Sequence, residues 1–66
     1  MVETLAQLEQ YLQMHEIATD QDVYVSPREW LGLAGWIAPY HIVAATPEEP
    51  AFFWFLGRRI RQLRSA

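Results

Sequence analysis

Hydrophobic side chains recur at helical spacing near the start of the chain. Leucines separated by three and four residues fall on one face of a helix, because each residue advances the helix by about 100°. Thr4 and Gln7 form the T-x-x-Q pattern of a capping box just before that run. The pattern predicts a first helix at about 4–16, with Leu5, Leu8 and Leu12 on its inner face.

The sequence Ser-Pro-Arg-Glu at 26–29 marks a second helix start. Serine is a favoured N-cap, proline is tolerated at the first helical position, and a glutamate three residues after the cap can bond back to it. Pro39 disfavours the helical conformation of the residue before it. The pattern predicts a second helix at about 27–38, after a loop at about 18–22 and a short extended segment at 23–25.

The segment TPEEPAFFWFLGRRIRQLR opens with a further capping pattern, formed by Thr46, Pro47 and Glu49. At helical spacing, five apolar side chains of this segment fall on one stripe that would face the core. They are Phe52, Phe53, Leu56, Ile60 and Leu63. The pattern predicts a third helix at about 47–64, and it leaves residues 39–45 open between a helical turn and an extended link.

These elements predict an all-α fold, a three-helix bundle in which residues 1–66 form a single domain. A domain of this length has a small core, and the chain has no cysteine to add a disulfide. The sequence is nevertheless 52% hydrophobic and 14% aromatic. Three short helices do not easily hide that much apolar surface, so the composition indicates oligomerisation or docking onto another molecule.

Charge is distributed unevenly along the chain, although the formal net charge is only −3. All eight acidic residues lie in 1–50 together with one arginine, whereas 51–66 contain four of the five basic residues and no acid. There is no lysine. Every cation is therefore a planar guanidinium, which suits carboxylate, phosphate or aromatic partners. An alternative explanation is that cations are simply favourable near a helix C-terminus.

A candidate partner-binding surface lies on the predicted third helix, on the side opposite the core stripe. Trp54, Arg58 and Arg61 follow one another at spacings of four and three residues. Phe55 and Arg59, also four residues apart, would flank them. Tryptophan and arginine are enriched among residues that dominate binding energy at protein interfaces, so this set predicts a contact site for another protein.

Catalytic and metal chemistry find little support in the sequence. His15 and His41 come from different segments, and no metal-ligand spacing is present. Ser26 is explained as a helix cap, and cysteine and lysine nucleophiles are lacking. We therefore expect a non-enzymatic protein without cofactor or metal.

Membrane insertion is not expected either. The longest uncharged run, from Trp30 to Pro47, contains glycines and a proline that make it a poor span. The N-terminal residues lack the basic and apolar regions of a secretory signal. The expected location is the cytoplasm.

The sequence therefore predicts a small protein-binding module, an accessory subunit or an inhibitor of a larger complex, which could also form a homo-oligomer. The alternative is a small helical nucleic-acid-binding regulator, acting as a dimer through its arginine-rich C-terminal helix. The net negative charge makes nucleic acid the weaker alternative, since few phosphates could be neutralised. The segment from Thr46 onward is similar in spacing to the last helices of the theta-type accessory subunit of bacterial replicative polymerases. That resemblance covers less than half of the chain, and we assign no family from it.

Overall fold

A computed structural model describes residues 2–37, 41–43, 46, 48 and 50–63. Within these ranges the chain forms two helices and four strands. In order they are α1 (Leu5–Met14), β1 (Asp22–Val25), α2 (Pro27–Ala34), β2 (Ile42–Val43), β3 (Phe52–Phe55) and β4 (Arg58–Gln62). The predicted all-α three-helix bundle is therefore wrong, and the chain has an α/β fold.

The four strands form one mixed sheet in the order β1-β4-β3-β2. β3 and β4 are antiparallel neighbours, and β2 is antiparallel to β3. β1 pairs in parallel with β4, so the earliest strand joins the latest one. β1 and β2 consequently form the two edges of the sheet.

The first helix begins where the sequence indicates. The Thr4 Oγ1 accepts from the Gln7 N–H at 3.2 Å, and the Gln7 Oε1 accepts from the Thr4 N–H at 3.1 Å. Both halves of the capping box are thus formed, and the prediction of this start is confirmed. The helix ends at Met14, two residues before the predicted end.

The second helix also begins as predicted. The Ser26 Oγ accepts from the Glu29 N–H at 3.1 Å, and the Glu29 Oε1 accepts from the Ser26 N–H at 3.0 Å. Glu29 accepts a further bond from the Val2 N–H at 2.9 Å, which ties the N-terminal segment to this helix start. The helix ends at Ala34 with Gly35 as its C-cap, earlier than predicted, and residue 38 lies outside the described residues.

The core lies between the two helices and one face of the sheet. Three leucines of the helices are buried against four strand residues. In the pairing register, Val23, Ile60 and Phe53 form a row across three adjacent strands, so their side chains point to the same face. The buried residues are Leu8, Leu12 and Leu33 from the helices, with Val23, Val25, Phe53 and Ile60 from the sheet.

The predicted third helix at 47–64 is wrong, because residues 52–55 and 58–62 form an antiparallel hairpin. Phenylalanine, tryptophan and isoleucine favour strands, and here they pack on a sheet instead of along a helix. Leu56 and Gly57 form the two-residue connection with φ values of 51° and 79°. Two successive positive φ angles are characteristic of a type I′ turn, whose twist matches that of the strands. The polymerase-subunit resemblance depended on a helix here, and it does not hold.

Loop 18–22 packs against this turn. The Asp20 N–H donates to the Gly57 carbonyl at 2.8 Å. A Cβ added to Gly57 would lie 3.3 Å from the Thr19 Cγ2, and the positive φ already disfavours any other residue there. The turn is therefore held from outside the hairpin as well as by its own geometry.

Several smaller predictions have mixed outcomes. The extended segment at 23–25 is confirmed as part of β1, which pairs with β4. Within 39–45, residues 42–43 form β2, while 39–40 and 44–45 lie outside the described residues. Pro47, Glu49 and residue 64 of the predicted third helix also lie outside them.

Candidate functional site

The face of the sheet opposite the core carries aromatic and charged side chains. Side chains alternate between the two faces along each strand, so the neighbours of the buried row point away from the helices. The pairing places Tyr24 beside Arg61, and Arg61 beside Phe52. We call this surface the open face; it consists of Asp22, Tyr24, Val43, Phe52, Trp54, Arg59 and Arg61.

Two large aromatic side chains of the open face are accessible to solvent. Tyr24 is 54% exposed on the edge strand β1, and Trp54 is 53% exposed on β3. The ring of Phe52 meets the ring of Trp54 edge to face, with centroids 6.0 Å apart and an interplanar angle of 84°. That arrangement is a favoured geometry for an aromatic pair, so Phe52 orients the indole.

One carboxylate holds two guanidinium groups on this face. The Asp22 Oδ1 lies 2.7 Å from the Arg59 Nε, and the Asp22 Oδ2 lies 3.0 Å from the Arg61 Nε. Arg61 is only 8% exposed, so its charge lies at the base of the surface. Two cations meet one anion, so the described residues of the open face carry a net charge of +1 within a chain that is negative as a whole.

The arginines also contact the rings. The guanidinium carbon of Arg59 lies 5.9 Å from the Phe52 ring centroid and 5.8 Å from that of Trp54. The guanidinium carbon of Arg61 lies 5.2 Å from the Phe52 centroid. These distances are within the range of cation–π attraction. The rings and the cations therefore hold one another in place.

The structure divides the five predicted site residues between the two faces of the sheet. Trp54, Arg59 and Arg61 lie together on the open face. Phe55 and Arg58 are paired with each other on the face toward the helices. The helical spacing that grouped Arg58 with Trp54 does not exist, because the segment is a hairpin.

Arg58 has a structural environment. Its Nε donates to the Ile17 carbonyl at 3.2 Å, and its Nη2 donates to the same oxygen at 2.5 Å. Its Nη1 donates to the Leu56 carbonyl. The side chain joins the end of the first helical segment to the hairpin turn, so we remove it from the candidate site.

Sequence reasoning missed Asp22, Tyr24, Val43 and Phe52 as members of this surface. For Phe52 a signal was present, since two strand-favouring runs separated by two residues, the second a glycine, indicate a hairpin. In that arrangement Phe52 and Trp54 share a face opposite Phe53. For Asp22 and Tyr24 the sequence gives only a short strand, and no local pattern identifies β4 as its neighbour.

Other kinds of site have no support in the described ranges. Among those residues, no group of three His, Asp or Glu side chains is placed to hold a metal ion. None of the helices that the structure describes combines the length and the hydropathy that crossing a bilayer requires. Comparison with known proteins adds no analogy, because no family model, curated protein or solved structure matches this chain.

Proposed function

We propose that the chain is a small protein-binding module and that it meets its partner through the open face. The observation that carries this proposal is the exposure of Tyr24 and Trp54 beside arginines that are already fixed in place. Tyrosine, tryptophan and arginine are the residue types that most often dominate interface energies. An aromatic surface that no helix of the described chain covers is also the kind of patch that marks a contact site.

The size of the face limits what can bind. Four strands at a spacing of about 4.8 Å span about 14 Å, and four residues along a strand span about 13 Å. A standard protein interface buries about 800 Å² on each partner, which is several times this footprint. The open face of one chain is therefore suited to a short segment or a single projecting element of a larger protein.

The charge of the face gives the chemistry of that segment. Among the described residues, the two arginines of β4 exceed the one aspartate by one positive charge, and the aromatic side chains of β3 lie beside them. We therefore expect the bound segment to combine an aromatic or aliphatic side chain with a nearby carboxylate. A carboxylate beside Arg59 would be attracted, whereas a lysine or arginine would be repelled.

Single-stranded nucleic acid is the competing class of partner. Open four-stranded sheets with exposed aromatics can stack bases. Such sites also use a basic groove to follow the phosphate backbone, and here the described residues of the face carry a net charge of only +1. The charge therefore favours a protein, and RNA binding is one outcome of the test below.

The biological role proposed here is that of a non-enzymatic accessory subunit or inhibitor of a larger complex in the cytoplasm. In this role the module acts by covering a segment of its partner. Binding activates or inhibits the partner according to which segment of the partner the module covers.

Site-specific photocrosslinking tests the proposal. Benzoylphenylalanine would replace Trp54 on the open face. In two separate variants it would replace Met14, at the end of α1, or Trp36, just after α2, both of which are exposed. The three proteins would be irradiated in lysate of the native host and their products compared by mass spectrometry. Fluorescence anisotropy of labelled single-stranded RNA at low salt would be measured in parallel.

The proposal predicts a discrete protein adduct from the Trp54 position that is weak or missing from the Met14 position. An adduct from the Trp36 position alone would place the interface on the helical layer and contradict the proposal. Salt-dependent RNA binding that is lost on Trp54→Ala would assign the open face to nucleic acid instead.

A further inference from the structure

The edge strand β1 directs backbone hydrogen-bonding groups away from its own sheet. The Gln21 carbonyl accepts from the Arg59 N–H at 3.2 Å, and the Val25 carbonyl accepts from the Leu63 N–H at 2.6 Å. Along a strand, alternate residues direct their N–H and C=O groups to the same side. The N–H and C=O groups of Val23 therefore also point to β4. Those of Asp22 and Tyr24 point outward, away from the sheet.

This edge has little protection against pairing with another strand. Proteins blunt exposed edges with proline, lysine, bulges or covering segments. β1 has the sequence Asp-Val-Tyr-Val, without proline or lysine, and it pairs with β4 residue by residue without a bulge. Its one charge, on Asp22, is turned onto the open face and is matched by Arg59 and Arg61.

We propose that β1 pairs antiparallel with β1 of a second copy of this chain, with Val23 opposite Val23 of the second copy. In that register Asp22 lies opposite Tyr24 of the second copy, and the reverse holds by symmetry. Both residues have outward N–H and C=O groups, so each of the two pairs exchanges two bonds. The result is four backbone hydrogen bonds across a two-fold axis.

The strand itself indicates a second copy as its partner. Only two residues of β1 direct their groups outward, and this register matches each of them with the other. Sliding one strand by one residue would set the outward groups opposite Val23, whose groups point to β4. Sliding it by two residues would match Tyr24 with itself or Asp22 with itself, and would bring fewer outward groups into register. The two-fold axis lies perpendicular to the sheet, so both helical layers fall on one side and both open faces on the other.

The dimer would also resolve the small size of the binding surface. Joining two sheets at β1 gives eight strands and a continuous aromatic face about twice as large as that of one chain. Burial at the new edge adds to a core of only seven hydrophobic side chains among the described residues. The inference does not depend on the proposed partner, because self-association is measured with the purified chain alone.

Sedimentation of two Tyr24 variants tests the inference. Tyr24→Pro removes the outward N–H and places a ring where the second strand would lie, while proline is tolerated on an edge strand. Tyr24→Thr is the matched control, because it keeps the N–H and the preference for a strand but loses the aromatic ring. Circular dichroism would show whether each variant keeps its fold.

We expect the wild type and Tyr24→Thr to change from monomer to dimer as the protein concentration is raised from micromolar to near-millimolar. The dimer dissociation constant of Tyr24→Pro should be at least about tenfold higher. If Tyr24→Pro does not fold, hydrogen exchange of the wild-type backbone amides serves as the test instead. The exchange rates of the Asp22 and Tyr24 amides should then fall as the protein concentration rises. A wild type that stays monomeric throughout would overturn the inference. The inference would also be overturned if both variants weakened dimer association equally, or if a dimer formed in which the Asp22 and Tyr24 amides gained no protection against hydrogen exchange.

Discussion

Trp54 and Arg59 face each other across the hairpin, with the Arg59 guanidinium carbon 5.8 Å from the indole centroid. Arg59 is held from the other side by Asp22, whose Oδ1 lies 2.7 Å from its Nε. The indole thus has a fixed neighbour beneath it and solvent above it. Removing such a half-exposed ring costs little folding energy, on the order of 1 kcal/mol or less, while it would remove one of the two large aromatic side chains that the face offers to a partner.

The hairpin turn contains a residue that fits its conformation poorly. Leu56 has a φ of 51°, in the left-handed region that leucine rarely adopts and that asparagine tolerates. Leu56 is also half exposed, so its side chain contributes little to the core. We expect Leu56→Asn to raise the free energy of unfolding by about 0.5–1 kcal/mol, measured by urea denaturation.

Leu63→Asn is the matched control for the turn variant. Leu63 is as exposed as Leu56, at 49% against 50%, but it is not among the residues with positive φ. No gain is expected from it. Equal effects of the two substitutions would show that loss of exposed apolar surface, and not turn geometry, changes the stability.

Arg58 should be a structural residue. Arg58→Lys keeps the charge but loses the planar fork that donates twice to the Ile17 carbonyl and once to the Leu56 carbonyl. We expect a loss of about 1–3 kcal/mol in thermal or urea unfolding, since the Ile17 carbonyl loses its partner. Partner binding by the folded variant should be unchanged, and a selective loss of binding would return Arg58 to the candidate site.

Glu29 should make stability depend on pH. Bonds from the Ser26 and Val2 backbone N–H groups lower the pKa of Glu29 below its ordinary value of 4.5. A depressed pKa stabilises the fold above the ordinary value, and that contribution is lost as pH falls through the lower, folded-state pKa.

Comparison of the wild type with Glu29→Gln isolates this contribution. The wild type should be more stable above about pH 5, and the difference should narrow as the pH falls below the ordinary pKa of a glutamate. Urea denaturation at several pH values measures it. A difference that stays constant down to strongly acid pH would show that the charge of Glu29 is not responsible.

The helix starts could be predicted because their signals are local. A capping box needs only the cap and the residue three positions later, as at Thr4 with Gln7 and at Ser26 with Glu29. Both boxes are formed, and the leucines that follow them are buried. Helix ends were less predictable, because the chain leaves each helix before its hydrophobic pattern ends.

The hairpin was missed because its two faces are both partly apolar. A half-buried strand normally alternates between hydrophobic and polar residues, but Phe52 and Trp54 point outward while Phe53 points inward. The run FFWF therefore shows no period of two. The same residues fit a helical stripe by chance, and that stripe predicted the third helix.

The candidate site was predicted in composition but not in geometry. Trp54, Arg59 and Arg61 were identified from their residue types. That choice does not depend on whether the segment is a helix or a hairpin. Their neighbours Asp22 and Tyr24 come from a strand more than 30 residues earlier, paired in parallel with β4. Such long-range pairing leaves no local signal in a single sequence.

The affinity of the crosslinked partner for Trp54→Ala, against Met14→Ala, tests the open face most directly. Both residues are exposed, and they lie on opposite layers of the molecule. With the partner purified, titration calorimetry should show binding weakened by at least about 25-fold for Trp54→Ala, the equivalent of about 2 kcal/mol at an interface hot spot, and unchanged for Met14→Ala. Equal affinity of the two variants, with both folded, would contradict the account.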